Sequence, residues 1–308
     1  MAGPRQIVDA PTFTSSRFGL LSVVQTPVER DAHWQNGVTW SSYCPDDMGD
    51  TTYDECIAAT GAPDDVPPEP AAKTANVEHV LRGATPFTVY TRFDCAPVGN
   101  DEAQQVATRA LGQVEEWQVE RTFWTGLVDG IELAFPHLAA DAQVVDAEGI
   151  VLQPVASTAV TGAAVDVATG LGRLEQALAD CYGGRGVIHV PLEALPSLDA
   201  YTLVRPVGGR DATSGQFGRQ LETLAGNLVA VGAGYAGTGP DGTDPGATTT
   251  WLYASGPVFM YRSNVRVNPF SSTVDRSNNT VEMIAERTYV LGFDCCLHAV
   301  QVQLGVPS

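Results

Sequence analysis

The stretch Val281-Glu282-Met283-Ile284-Ala285-Glu286-Arg287-Thr288-Tyr289-Val290-Leu291-Gly292-Phe293-Asp294 decides how the rest of the chain is read. Val281, Met283, Ala285, Tyr289, Leu291 and Phe293 share one parity, while Glu282, Glu286, Thr288 and Asp294 largely take the other. A period of two is that of a strand with one face buried. After Cys295-Cys296 the phase flips, with Val300, Val302 and Leu304 apolar and Gln301 and Gln303 polar. One residue of slip exchanges the two faces of a strand, so a bulge or tight corner is expected near Asp294–Leu297. Upstream, Trp251-Leu252-Tyr253-Ala254-Ser255-Gly256-Pro257-Val258 opens the same β-rich run.

Composition bounds the reading. The chain has 308 residues, enough for two subdomains or one large mixed unit with a sizeable core. Charged residues make up 17% and hydrophobic ones 44%, which suits a protein that buries surface against itself or its copies. A net charge of −19 points away from nucleic-acid binding, because neutralising phosphates takes clustered Lys and Arg. Lys73 is the only lysine among 17 basic residues. The first residues lack an apolar stretch of signal-peptide length, and no run reaches the roughly 18 apolar residues of a membrane span. The expectation is a protein made in the cytoplasm, with no membrane partner. Six cysteines (Cys44, Cys56, Cys95, Cys181, Cys295, Cys296) contain no C-x-x-C pair, and buried free thiols are expected.

Along the chain, residues 1–38 carry Pro4, Pro11 and Pro27 and no helical period, which reads as an extended arm that needs a surface to lie on. From Asp46 to Glu69 there are eight acidic residues and no basic one, followed closely by Pro70: a solvated loop. Gly37–Tyr43 and Thr85–Phe93 read as two β arms around it, with Phe87, Val89, Thr91 and Phe93 on one face. A long helix follows, capped by Asn100 or Asp101, with Ala103, Val106, Ala107, Ala110, Leu111, Val114 and Trp117 at helical spacing and a predicted end near Val128. The stretch 130–165 reads as short strands. A second helix carries Val167, Leu171, Leu174, Leu178 and Tyr182 and stops at Gly183-Gly184. Then come the strand Gly186–Val190, a helical turn opened by Pro191 with Leu192, Leu195 and Leu198, and a loop at Thr238–Gly246.

Signs of chemistry are few. Gly232-Ala233-Gly234-Tyr235-Ala236-Gly237 matches G-x-G-x-x-G after the apolar run Leu228–Val231. A dinucleotide site needs a helix next, whose N-terminus holds the pyrophosphate, and the glycines and prolines that follow exclude one. The five histidines show no metal-ligand spacing, and neither G-x-S-x-G nor a phosphate-binding G-x-x-x-x-G-K-[ST] occurs. Ser255 reads as part of a structural turn, and Asp294, Cys295 and His298 as strand-end neighbours rather than a Cys-His pair. No catalytic residue, cofactor or metal is expected. Glu286-Arg287 is either a plain surface pair worth about 0–1 kcal/mol or one side of an intersubunit bridge, the reading favoured for an assembling chain.

Taken in order, these elements resemble the Hong-Kong-97-type capsid fold shared by tailed-phage major capsid proteins and encapsulins. Gly170-Leu171-Gly172-Arg173-Leu174-Glu175-Gln176-Ala177-Leu178 and Gly186-Val187-Ile188-His189-Val190-Pro191-Leu192-Glu193-Ala194-Leu195 are similar to that family's axial-domain helix, strand and short helix, and Val281–Val290 to its peripheral-domain strand. The phrasing resembles that of capsid proteins of phages infecting actinobacteria. The resemblance implies an α+β fold with an N-terminal arm (1–38), an extended β loop (39–98), a peripheral domain with a spine helix (99–149), an axial domain (150–275) and C-terminal strands (276–308) returning to the peripheral domain. It implies an icosahedral shell of hexamers and pentamers around double-stranded DNA, with portal and possible scaffold or decoration partners. Lys73, Arg262, Arg266, Glu286 and Arg287 become candidates for contacts between subunits. No glutamate and asparagine for a covalent crosslink at Lys73 can be identified, and a Cys44–Cys56 disulfide would follow host lysis. An enzyme-enclosing encapsulin shell is the alternative, and an NAD-binding α/β oxidoreductase built on the glycine run a distant third.

Overall fold

A computed structural model describes residues 16–28, 31–42, 80–95, 100–158, 163–207, 220–269 and 280–305. Its first half contains β1 (Val38–Ser42), β2 (Val80–Ala84), β3 (Pro86–Cys95), α1 (Asn100–Thr125), β4 (Leu127–Val128), β5 (Ile131–Glu132), β6 (Val144–Val145), β7 (Val151–Gln153), β8 (Ser157–Thr158) and β9 (Val165–Asp166). Then follow α2 (Val167–Tyr182), β10 (Val187–Pro191), α3 (Leu195–Ala200), β11 (Val204–Val207), β12 (Gln220–Thr223) and β13 (Leu228–Gly232). The chain closes with β14 (Thr249–Ser255), β15 (Val258–Arg262), β16 (Arg266–Pro269), β17 (Val281–Phe293) and β18 (Leu297–Gln303).

β17 is the axis of a four-stranded sheet, with β15 and β16 end to end along one edge and β3 along the other. Its alternation does what the sequence pattern requires. Met283, Ala285, Tyr289, Leu291 and Phe293 are buried in one core with Ala103, Ala107, Leu111, Val119 and Phe123 of α1. α1 runs 26 residues, about 39 Å at 1.5 Å per residue. It stops at Gly126, whose left-handed φ of 71° lets its N–H return to the Thr122 carbonyl at 2.8 Å. The apolar sector of α1 is wider than the surface it covers. Val106, Val114 and Trp117, expected on the apolar face, lie one or two positions off the buried stripe and are 36%, 41% and 45% exposed.

The second sheet runs β11-β12-β13-β10-β14-β18-β8, with β9 also on β18. β10 lies between parallel β13 and antiparallel β14 and is buried at every residue, so Val187, Ile188, Val190 and Pro191 show no alternation of faces and the one polar side chain among them, His189, is buried too. α2 covers this sheet through Val167, Leu171, Leu174 and Leu178, packed with Ile188, Leu252, Val300 and Val302. The Asp166 carboxylate caps it by accepting the Thr169 N–H at 2.9 Å, and Gly183 (φ 67°) ends it.

The two sheets are joined where two chain segments cross side by side. β14 passes into β15 through Gly256-Pro257, and β17 passes into β18 through Asp294-Cys295-Cys296. The Gly256 N–H donates to the Cys296 carbonyl at 3.1 Å and the Asp294 N–H to the Pro257 carbonyl at 3.3 Å. Cys295 takes φ 62°, and a Cβ at Gly256 would sit 1.8 Å from the Asp294 carbonyl oxygen. The phase flip in the sequence is therefore a change of sheet. β17 packs on α1, whereas Leu297–Gln303 pairs into the second sheet, with Val300 and Val302 under α2 while Leu297 and Ala299 stay in the core that α1 shares.

Both expected β arms are strands: β1 pairs antiparallel with β2, Val38 opposite Ala84, and Thr85–Phe93 falls largely in β3, which pairs with β17 and sends Phe87 and Val89 into the core. One further expectation is corrected. The cysteines are not all free thiols. Cys181, at the end of α2, forms a disulfide with Cys296, 115 residues away at the corner, and Cys295 is disulfide-bonded as well.

Candidate functional site

The inner face of α1 carries three acidic side chains, and each holds a different part of the chain. Glu115 follows Leu111 by one turn and so falls on the buried stripe, where Arg287 Nη1 and the Tyr289 hydroxyl both donate to its Oε1. Burial works against the Arg287 charge, but Glu115 and Tyr289 outweigh it and push the guanidinium pKa up; burial also pushes the Tyr289 hydroxyl up. The next residue, Glu116, accepts the Ser16 N–H at 3.0 Å, and burial raises its pKa. Glu120 is fully buried and accepts two backbone N–H groups, from Leu20 at 3.0 Å and Gly234 at 2.9 Å. Desolvation lifts its carboxyl to about 7; the Gly234 and Leu20 donors oppose the rise and Glu116 adds to it.

These carboxylates seat residues 16–25 on their own subunit. Leu20, Leu21, Val23 and Val24 are buried there, the Val231 N–H donates to the Phe18 carbonyl at 2.7 Å, and Gln25 bridges to β15 through both backbone groups at 2.8 Å. The approach is close at Gly19, where a Cβ would lie 2.1 Å from Glu116 Oε1 and push that carboxylate aside. The glycine run has the same explanation. A Cβ at Gly234 would meet the Trp117 carbonyl oxygen at 2.0 Å and one at Gly232 the Tyr235 ring at 2.6 Å, so these glycines admit α1 and an aromatic ring. The next element in the chain is a three-residue 3₁₀ turn at Pro240–Gly242, with no helix to receive a pyrophosphate.

The residues singled out as subunit contacts separate into two groups. Arg287 is turned into its own subunit, because its parity on β17 is that of Met283 and Tyr289; adjacent Glu286 takes the opposite face. Arg266 sits opposite Glu286 across the β16–β17 ladder and donates from Nη2 to Gln35 Oε1 at 3.1 Å, while Asn268 Nδ2 donates to Glu286 at 3.4 Å. Arg262 is half-buried at the end of β15. Lys73, Cys44 and Cys56 lie outside the described residues. Exposed apolar side chains gather on the outer face of α1 at Val106, Val114 and Trp117, and on the β4–β5 hairpin that follows at Leu127, Ile131 and Leu133.

One arrangement has the composition of a hydrolytic site. His189 Nε2 lies 2.9 Å from Ser255 Oγ and its Nδ1 3.0 Å from the Tyr235 hydroxyl. His189 and Ser255 are 0% exposed, and burial alone drives the imidazole down to about 3. A histidine that holds no proton at neutral pH and has no carboxylate beside it lacks the base strength to activate a serine. The cluster satisfies polar groups between the layers. His298, at the second position of β18, has a ring nitrogen within 4.8 Å of the Cys181 and Cys296 sulfurs. No described helix is long and apolar enough to cross a membrane.

No protein-family model matches the chain, and no curated protein matches it. Solved structures do. The capsid of a native GTA particle aligns with a TM-score of 0.52 and 14% identity over 98% of this chain and 95% of that one. The capsid of Ralstonia phage GP4 gives 0.49 and 9% identity over 99% and 97%, and a structure from Mycobacterium phage Ogopogo 0.46 and 11% over 97% and 96%. With nearly all of both chains aligned at a TM-score above one half, this chain has the α+β fold of the native GTA particle capsid.

Proposed function

We propose that the protein is a major capsid protein that self-assembles, as hexamers and pentamers, into the icosahedral head of a tailed double-stranded DNA phage. The observation that carries this reading is the end-to-end likeness to the native GTA particle capsid. It is supported by what the interior is used for: the buried polar clusters on α1 and β10 tie elements to one another and present no reacting group. The work then lies on the surface, in the apolar outer stripe of α1, the β4–β5 hairpin, Glu286, Arg262 and Arg266, with Lys73 of the extended β loop. Many modest contacts repeated over a closed lattice give a stable container. A net charge of −19 keeps such a shell soluble and weakly repels packaged DNA. The place of the protein is then the virion, with a portal and possible scaffold or decoration proteins as partners.

Electron microscopy of the purified protein tests the reading. Closed shells with nuclease-protected DNA in virions are expected. Shells that enclose a protein cargo and no DNA would favour the encapsulin alternative, and the absence of shells of any kind would overturn both. A Cys44–Cys56 disulfide in mature particles predicts a mobility change between reducing and non-reducing electrophoresis, beyond that of the Cys181–Cys296 bond, and Cys56→Ser removes only that added part.

A further inference from the structure

We propose that, when its cysteines are reduced, the protein binds one zinc ion through Cys181, Cys296 and His298. The two sulfurs and a ring nitrogen of His298 lie within 4.8 Å of one another. They come from three places that the fold holds in register: the last turn of α2, the corner after β17, and the second residue of β18. α2 is packed on β18 through Val300 and Val302, and β18 is laddered to β14 over its whole length. The cluster therefore does not depend on a loose loop for its shape.

The chemistry of the donors suits a thiophilic cation of tetrahedral preference. Two thiolates and one imidazole are zinc ligands, and three protein ligands leave a fourth position for water. His298 is oriented from behind, as metal-bound histidines are, because its Nδ1 lies 2.6 Å from Ser157 Oγ on the neighbouring strand β8. That leaves Nε2, which is buried and has no hydrogen-bond partner among the described residues. A buried nitrogen left unpaired is unfavourable, and a metal would supply the partner.

In the oxidised form the two sulfurs are bonded to each other and cannot ligate. Two low-molecular-weight thiols reduce the bond: they transfer two electrons and two protons, give the Cys181 and Cys296 thiols, and leave as their own disulfide. Zinc then displaces those two protons on binding. The metal and the disulfide are thus mutually exclusive occupants of one position, and each ties the end of α2 to the corner between the sheets. A reducing cytoplasm favours the first and an oxidising exterior the second.

The test uses the full chain, reduced with a phosphine that does not bind metal, freed of reductant without oxygen, and titrated with cobalt(II). One equivalent is expected to produce thiolate-to-cobalt charge-transfer absorption, which zinc bleaches; the oxidised protein should produce none. His298→Ala is expected to weaken zinc binding by about tenfold or more, and Ser157→Ala by less with the absorption retained. Absence of the band in the reduced protein, or a band unchanged by Cys181→Ser and Cys296→Ser, would overturn the proposal. The comparison of oxidised with reduced wild-type protein needs no variant to fold.

Discussion

Replacing Glu120 by glutamine tests the buried acid of α1 where it makes its largest demand. The side chain is fully buried with its carboxyl lifted from 4.5 to about 7. In that interval the folded protein keeps a proton that the unfolded chain has released. The group's contribution to stability is fully present below about 4.5 and is lost as pH rises to about 7. At about 1.36 kcal/mol per pH unit, the loss is about 3 kcal/mol. Glutamine removes this dependence but has only one acceptor oxygen for the Leu20 and Gly234 N–H groups. One of them is left facing an amide NH₂, at a cost of about 1–3 kcal/mol that does not vary with pH. Wild type is therefore expected to be the more stable protein at pH 4.5, and the two to converge near pH 7. The assay is urea unfolding of the unassembled subunit, followed by tryptophan fluorescence across that range and expressed as the difference between the two proteins, which cancels the remaining titrating groups. A flat difference, or one that grows with pH, would refute the reasoning.

Arg287→Ala leaves Glu115, 11% exposed, without its cation and should cost about 3–5 kcal/mol; Arg287→Met with Glu115→Gln should recover much of it, read from denaturant midpoints, and a single variant as stable as wild type would count against an internal role. Gly256→Ala places a Cβ 1.8 Å from the Asp294 carbonyl, forcing the two crossings apart at a cost of about 1–3 kcal/mol. Gly172→Ala, with nothing within 4 Å in α2, should instead stabilise by about 0.5–1 kcal/mol, so thermal melts of the pair must move in opposite directions. Asp166→Ala removes the cap of α2 and about 1 kcal/mol. Thr169 holds the Asp166 carboxyl below its usual range, so the cap's contribution is present above about pH 4 and fades as pH falls below it, which melts at a series of pH values will show.

What could be read from the sequence was local. The parity of β17, the stripe and stop of α2, and the strand that becomes β10 are written within a few residues of where they act, and the fold carries them. Pairings over long distances were not legible. β1 and β3 are both plausible strands, and which of them pairs with β2 or β17 depends on a core assembled from α1. The Cys181–Cys296 contact spans 115 residues with no spacing rule to announce it. The acids of α1 were hardest, because Glu116 and Glu120 look solvated in a helix until their donors arrive from 100 and 114 residues away. Glu115 alone left a trace: it continues the Ala103, Ala107, Leu111 series at intervals of four, a phase that buries it.

The paired crossings at Gly256 and Cys295 also set how the subunit carries load. Strain applied to the edge of the eight-stranded sheet reaches α1 through two lengths of covalent backbone running side by side and cross-linked by the Gly256 and Asp294 hydrogen bonds. The layers can bend about that line, but sliding one past the other requires both crossings to stretch together. Deformation is thereby steered to the weaker seams, where β8 and β9 hold β18 by two residue pairs each. A wall built of such subunits would yield first at its inner fastenings and keep the hinge between its layers intact.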